Sequence, residues 1–471
     1  MLRSHRNKTL NVAVIGLFGL LCLAGCRVGP KYSRPLVNTP ESFRGTPANT
    51  APAPVASFGE QKWFDVFQDP QLQSLIRTAI QNNYDARIAA TRILQAEAQL
   101  GITKSNQYPS AIGVAAVNNN RNSKSKFLNA YETSNTQLAL GVQWGLDFWG
   151  KLRSATDAAR DELLADQWAQ KQVQDSLVAS IATSYFTLRD LDLQLQISQQ
   201  TLAANRNSLQ LTQLLADNGA TSLLDVRQAE QLVYAAAADI PEIEKQIQQT
   251  ENYISTLVGG NPADVTRGLE IKAQIHLPEV PAGLPSTLLE RRPDIQQAEA
   301  RLMAMNARIG VARAAYFPTI TLTGLSGLQT IALSRMFSGP AGMWTFVGSL
   351  SQPLFNGGAL KKEVKFAEAE KEEGVLLYQQ SIEQAFREVS DSLVAYSKDQ
   401  AARQQQESLT QSAQEASKLS DLRYRGGAAS YLEVLDSNTR QYRAELELAQ
   451  AQLRELLDYV EIYHALGGGW E

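Results

Sequence analysis

The chain says the same thing twice, and that repetition restricts its fold more than any other feature. NNYDARIAATRILQAEAQLGITKSNQYP (Asn82 to Pro109) lies without a gap on RRPDIQQAEARLMAMNARIGVARAAYFP (Arg291 to Pro318). Asp85 meets Asp294, Arg92 meets Arg301, Gly101 meets Gly310 and Pro109 meets Pro318, 209 positions on. DFWGK (Asp147 to Lys151) meets LFNGG (Leu354 to Gly358) 207 positions on, and DNGATSLLDV (Asp217 to Val226) meets RGGAASYLEV (Arg425 to Val434) 208 positions on. Three near-equal shifts in three places define a duplicated unit of about 208 residues. We read unit one as residues 60–260, a Gly/Pro-rich linker as 261–285, unit two as 286–468 and a tail as 469–471.

Each unit reads as helix, strand hairpin, very long helix, tight turn and second long helix. In unit one a helix is predicted over Gln61–Gln107, a hairpin over about 110–148 and long helices over 149–258; in unit two the hairpin falls at about 319–355 and the long helices at 358–466. Lys151 to Asn218 contains no glycine and no proline, and a helix of that length would reach about 100 Å at 1.5 Å per residue. Such helices must pack side by side. Leu432, Leu435, Tyr442, Leu446, Ala449, Leu453, Leu456, Val460 and Tyr463 step by threes and fours, and Ile181, Leu188, Leu195, Leu202 and Leu209 recur every seventh position, as heptad seams do. Pro241 is predicted to kink or split the second helix of unit one.

The strands pose a different problem. In QLALGVQWGLDFWGK (Gln137 to Lys151) large apolar side chains alternate with small or polar ones: Leu138, Leu140, Val142, Trp144, Leu146 and Phe148 against Gln137, Ala139, Gly141, Gln143, Gly145 and Asp147. Four one-sided strands of about ten residues suit a bilayer crossing by tilted β-structure. Backbone polar groups survive in lipid only if the sheet closes on itself, and four strands are too few. Two copies would give eight strands, a barrel filled by its own side chains; three give twelve, with an open bore for the small and polar face. The expected fold is therefore mainly α with membrane β, three copies sharing one 12-stranded barrel with four strands from each. Trp144 and Trp149 at a strand end fit an interfacial aromatic belt.

The N-terminus supplies the address. Arg3, Arg6 and Lys8 precede an apolar run from Val12 to Leu23 that ends in Leu23-Ala24-Gly25-Cys26, the pattern of an export signal (1–25) closed by a lipobox. Cleavage there would leave Cys26 as the one cysteine, carrying diacylglycerol and an acyl chain, and would take the net charge from −4 to −7. Proline-rich residues 26–59 read as an extended, unpacked tether. No basic excess or basic run points to nucleic acid.

WFDVFQDPQLQSLI, LLERRPDIQQAEARL, IGVARAAYFPTITLTG, QPLFNGG, RYRGGAASYLEVLD and ALGGGW closely resemble the outer-membrane factor family of TolC/OprM-type efflux and secretion ducts. CRVGPKYSRP and the lipobox are similar to its lipoprotein branch, which serves resistance–nodulation–division pumps. The resemblance spans the mature chain and implies a homotrimer, a trimeric 12-stranded outer-membrane β-barrel continued by a periplasmic α-helical coiled-coil tunnel, with a periplasmic adaptor protein, an inner-membrane proton-driven pump and a duct that spends no energy.

The motifs hold no catalytic constellation and no cofactor site. Glu461-Ile-Tyr-His464 has a di-metal spacing, but that site needs two copies and further glutamates, and unit one offers nothing at the corresponding Tyr253 to Thr256. His276 stands apart from it. The functional candidates lie at the two coil tips, LLADNGATS and SDLRYRGGAAS. The resemblance implies that these tips converge on a periplasmic aperture. Asp217, Asp421, Arg423, Tyr424 and Arg425 are the groups available to close it, and the exposed turns at Gly219, Gly426 and Gly427 are available to dock the adaptor. Two rivals remain at this point: a type I secretion duct for polypeptides, and a coiled-coil scaffold lipoprotein without a pore.

Overall fold

A computed structural model describes residues 27–40, 42–44, 57–121, 123, 131–274 and 285–470. The signal, Cys26 and His276 lie outside the described residues. In chain order the elements are α1 (Trp63–Val66), α2 (Pro70–Asn82), α3 (Tyr84–Ser105), β1 (Ser110–Arg121), β2 (Glu132–Leu146), α4 (Lys151–Asp217), α5 (Leu223–Leu257), α6 (Ile271–Gln274), α7 (Pro285–Arg291), α8 (Pro293–Ala314), β3 (Thr319–Thr330), β4 (Gly342–Ser351), α9 (Ala359–Arg425) and α10 (Tyr431–Ala465). The duplication is visible in the lengths: α4 and α9 each have 67 residues, α5 and α10 each 35.

Several sequence expectations are corrected. The helix expected over Gln61–Gln107 is three helices, because Asp69 caps the second and Asn83 starts the third: Asp69 Oδ1 accepts from Gln71 N at 2.8 Å, and Asn83 Oδ1 from Ala86 N at 3.1 Å. Polar side chains that can cap a helix favour its ends over its interior. Pro241 neither splits nor ends α5; it is solvent-exposed, where water can take up the carbonyl it leaves free. The strands stop at Leu146 and Ser351, short of Phe148 and Phe355. Asp147 instead turns the chain into α4 by accepting from Arg153 N at 2.8 Å. Leu432 is exposed, and the seam at the start of α10 runs through Tyr431 and Val434.

The chain divides into two compact units. One holds the sheet with the described residues of 92–167 and 297–378 and residues 27–36. The sheet is antiparallel in the order β1-β2-β3-β4, so among the described residues β1 and β4 are both free edges. Opposed residues share a face. One face carries Leu138, Leu140, Val142, Trp144 and Leu146, opposite Leu328, Ser326, Gly324, Leu322 and Ile320, and then Trp344, Phe346 and Leu350 on β4. The other face carries Gln137, Gln143, Thr321, Thr323, Gln329, Thr345 and Ser349 among smaller and apolar residues. Trp149 is not a free belt residue: it stacks on Phe317 at 4.7 Å and donates from Nε1 to Pro318 O at 2.9 Å.

In the same unit residues 27–36 form no helix or strand, and they are docked rather than unpacked. Arg27 pairs with Asp157, and Asn306 Nδ2 donates to Pro30 O at 3.1 Å. Arg34 Nε donates to Glu299 Oε1 at 2.8 Å, and Tyr32 O–H reaches the same oxygen at 3.1 Å. Gly29 lies so close to Gly310 that a Cβ on it would sit 2.8 Å from the Gly310 Cα. This contact gives the repeated glycine of the sequence alignment a packing role in unit two. A trough of about 1340 Å³ runs between α3, α4, α8 and α9, floored by alanines and rimmed by charges of both signs, among them Arg92, Lys362, Glu162 and Glu363.

The second unit comprises the described residues of 37–91, 168–296 and 379–470. Its core follows the predicted seven-residue step: Ile181 and Leu188 are fully buried, and Leu195, Leu202 and Leu209 pack on successive apolar clusters with Ile243, Val233 and Ala229. The buried carboxylate of Asp69 ties three segments together, accepting from Tyr185 O–H and Leu269 N, each at 2.8 Å. The tail is held as well: Lys171 Nζ lies 4.0 Å from the ring centre of Trp168 and 4.1 Å from that of Trp470.

Candidate functional site

Both coil tips are built by the same backbone device. At the first, Gly219 adopts φ +72°, its N–H donates to Ala216 O at 2.9 Å and Ala220 N–H to Leu215 O at 2.8 Å. At the second, Gly427 adopts φ +72°, its N–H donates to Tyr424 O at 2.9 Å and Ala428 N–H to Arg423 O at 2.8 Å. Paired bonds of this kind satisfy the last free carbonyls of a helix and call for a residue without Cβ at the left-handed position. The glycine is Gly427, and Gly426 before it keeps the helical bond to Leu422 O at 3.0 Å.

The tips differ in how the next helix begins. Ser222 and Asp225 form a reciprocal capping box on α5. Ser430 makes no such bond on α10; Glu433, which stands where Asp225 does, turns to Arg423 at 3.4 Å instead. Arg423 also donates from Nη2 to Ala428 O at 3.3 Å. Arg425 Nε reaches Asp421 Oδ2 at 2.8 Å across one helical turn. The structure therefore brings four of the five predicted tip groups together on the second tip. Asp217 accepts from Gln213 at 3.2 Å on its own helix, and among the described residues no ion pair joins it to the others.

Tyr424 packs edge-on to Tyr431, with ring centres 5.3 Å apart, and its hydroxyl is buried without a hydrogen bond. Tyr431 in turn packs with Ala229 and Val434, so the two hairpins of one chain are fastened to each other near their tips. A second fastening lies further along. Tyr442 O–H donates to Asp239 Oδ2 at 2.8 Å and lies 2.8 Å from Ser198 Oγ. Burial and the Asp239 carboxylate push the Tyr442 phenol up to about 12. Sequence reasoning placed Tyr442 on the seam but missed the bond, because Asp239 lies 203 positions away. The available signal was a tyrosine interrupting an aliphatic seam.

His464 is not placed as a metal ligand beside Glu461. Its Nδ1 lies 3.0 Å from Asp175 Oδ2. Burial works against its charge, but the Asp175 carboxylate outweighs burial and raises its pKa.

A four-stranded sheet with two open edges and an exposed apolar face, joined to helices of 67 residues, defines a class: outer-membrane channels with a long helical extension. The sequence profile described as outer membrane efflux protein matches residues 75–260 and again 284–468, and the chain belongs to that family. It is 37% identical to the toluene efflux pump outer membrane protein TtgC of Pseudomonas putida, over 95% of this chain and 93% of that protein. It is 33% identical to the cation efflux system protein CusC of Escherichia coli, over 95% and 97%. Among solved structures, the open state of the Neisseria gonorrhoeae MtrE outer membrane channel superposes with a TM-score of 0.85 at 30% identity, over 95% of this chain and 99% of that one. The outer-membrane channel OprN superposes at 0.86 and 28% identity, over 94% and 100%. The protein is an outer-membrane efflux channel, a transporter by family.

Proposed function

We propose that this chain is one third of a passive exit duct in a three-part efflux system, exporting drugs or other small toxic organic compounds. The observation that carries the reading is the sheet: among the described residues β1 and β4 each have a strand on one side only, and Leu138, Leu140, Trp344, Phe346 and Leu350 are all exposed. In a bilayer those edges must be paired and that face must meet lipid; three copies supply both. Cys26, one residue before the docked Arg27, carries the acyl groups once residues 1–25 are removed, and residues 26–59 lead from the membrane into the fold. The duct needs no catalytic group and no soluble cofactor.

The partners in this reading are a periplasmic adaptor, met at Gly219, Gly426 and Gly427, and an inner-membrane pump of the resistance–nodulation–division type. Asp217, Asp421, Arg423, Tyr424 and Arg425 close the periplasmic end. The curated relatives support an organic cargo, since TtgC carries toluene in its name at the higher identity. Two measurements test the reading. Reconstituted protein gives discrete current steps in a planar bilayer, and a deletion strain regains drug tolerance with the wild-type gene but poorly with Cys26→Ala. A protein without current steps is a scaffold, and one that restores polypeptide secretion but not drug tolerance is a secretion duct.

A further inference from the structure

The repeat makes a contact inside the chain whose counterpart is left open. On α10, Tyr431 is 1% exposed and Tyr442 binds Asp239 and Ser198 of unit one. The same positions on α5, 208 residues earlier, are Leu223 and Tyr234, and they are 64% and 68% exposed. The groups that correspond to Ser198 and Asp239 are Gln406 and Glu447, 208 residues later. These two already meet: Gln406 Nε2 donates to Glu447 Oε2 at 3.4 Å on an exposed surface. A tyrosine without a carboxylate and a carboxylate without a tyrosine thus stand on one chain, each matching half of a bond the chain makes elsewhere.

We infer that neighbouring copies dock by the rule that joins the two halves of one chain, with Tyr234 O–H donating to Glu447 beside Gln406 of the next copy. The inference rests on the reading of the protein as an assembly of three, and it deepens that reading by naming the residues that meet.

The sheet carries the same rule independently. Crossing from β1 through β2 to β3, Val114 opposes Ala139 and Ala139 opposes Gly327. The repeat counterpart of Val114 is Thr323, so one half-unit advances the register by four positions. Repeating that advance from β3 through β4 sets β4 against β1 of the next copy with Leu350 opposite Ala115, Ser349 opposite Ala116 and Trp344 opposite Arg121. This register keeps Trp344, Phe346 and Leu350 on the face that holds Ala111, Gly113 and Ala115, whereas a slip of one residue would turn every apolar side chain inward.

Two experiments on the full-length protein in outer membranes test the rule. Double variants Ser349→Cys with Ala116→Cys, and Leu350→Cys with Ala115→Cys, are oxidised and run without reductant. These residues lie on opposite edges of one sheet, so a disulfide can only join two copies, and a covalent three-chain band is expected. The shifted pairs Ser349→Cys with Val114→Cys or Asn118→Cys give little of it. For the helices, Tyr234→Phe and Glu447→Gln each lower the temperature at which the three-chain species dissociates, and the double variant falls no further than the worse single. Strongest cross-linking by a shifted pair, no cross-linking in a protein that still forms trimers, or strictly additive losses at 234 and 447 overturns the rule while leaving the trimer intact. A native mass of one chain overturns the trimer itself.

Discussion

Asp458, half-buried, stands beside the like charge of Asp399, while Arg454 Nε lies 3.9 Å from the same Asp399. Burial, and after it the neighbouring Asp399, push Asp458 from 3.8 to about 7. Asp190, buried and also near Arg454, is pushed to about 6 chiefly by burial. For an acid whose pKa is higher in the folded state, the folded form binds the extra proton between the two values. Stability therefore falls as pH rises from about 4 toward about 7. Asp458→Asn should flatten that slope and raise the melting temperature at pH 8 more than at pH 4.5. Thermal unfolding of both proteins by circular dichroism across that range checks it. Parallel slopes would mean Asp458 takes up no extra proton on folding in that range.

At the second tip, Asp421 and Arg425 form an exposed pair on one helix turn, a contact worth only about 0.3–0.5 kcal/mol to folding. Asp421→Asn and Arg425→Gln should therefore leave the melting temperature within a degree or two. If these charges help close the periplasmic end, each change should still raise single-channel conductance or open probability of the reconstituted protein. Unchanged conductance in both variants would move the closure to Arg423 with Glu433, or to Tyr424 with Tyr431.

Much of this fold was legible in the sequence because its signals are periodic. The seventh-residue step of Ile181, Leu188 and Leu202 became a buried seam, and the alternation from Leu138 to Leu146 became an exposed apolar face. What periodicity hides is the single polar side chain that bonds far along the chain. Asp69 looked like one more residue of a long helix, yet it caps α2 and holds a tyrosine 116 positions away. Glu299 gave no sign that Tyr32 and Arg34 would dock on it, 265 and more positions apart. At the tips the glycines could be read directly, since a turn between two helices calls for a left-handed residue. The partner of Arg423 could not, because Glu433 leaves a capping position its counterpart Asp225 keeps.

The Asp69 junction makes a quantitative case. Its carboxylate is 2% exposed and accepts from Gln71 N, Tyr185 O–H and Leu269 N, each at 2.8 Å. Asp69→Ala removes the helix cap and takes the acceptor from the buried Tyr185 hydroxyl and from Leu269 N, at a combined cost of about 3 kcal/mol. Asp69→Asn keeps the shape and one acceptor oxygen and should cost about half of that. Limited proteolysis of the folded protein should then show new cleavage near Gly268 in the alanine variant, because Leu269 N has lost its anchor. Equal stability of Asp69→Ala and wild type would mean water replaces the carboxylate.

The two faces of β2 should answer the same substitution in opposite ways. Leu140 is 59% exposed on the face shared with Ser326 and Trp344, while Gln143 lies on the other face opposite Thr323. If the Leu140 face meets hydrocarbon, Leu140→Arg places a guanidinium in lipid at a cost of about 2–4 kcal/mol near mid-bilayer. The assembled protein in the outer membrane should then drop sharply, and what remains should dissociate at lower temperature. Gln143→Arg points into a water-filled bore and should assemble at near-normal levels. Its effect should fall on conduction instead, shifting ion selectivity toward anions, since three symmetry-related positive charges would then line the bore. Heat-modifiability on gels measures the first outcome and reversal potentials in a salt gradient measure the second. Should Gln143→Arg prevent assembly while Leu140→Arg is tolerated, the faces of the sheet would be exchanged and the large side chains would line the channel.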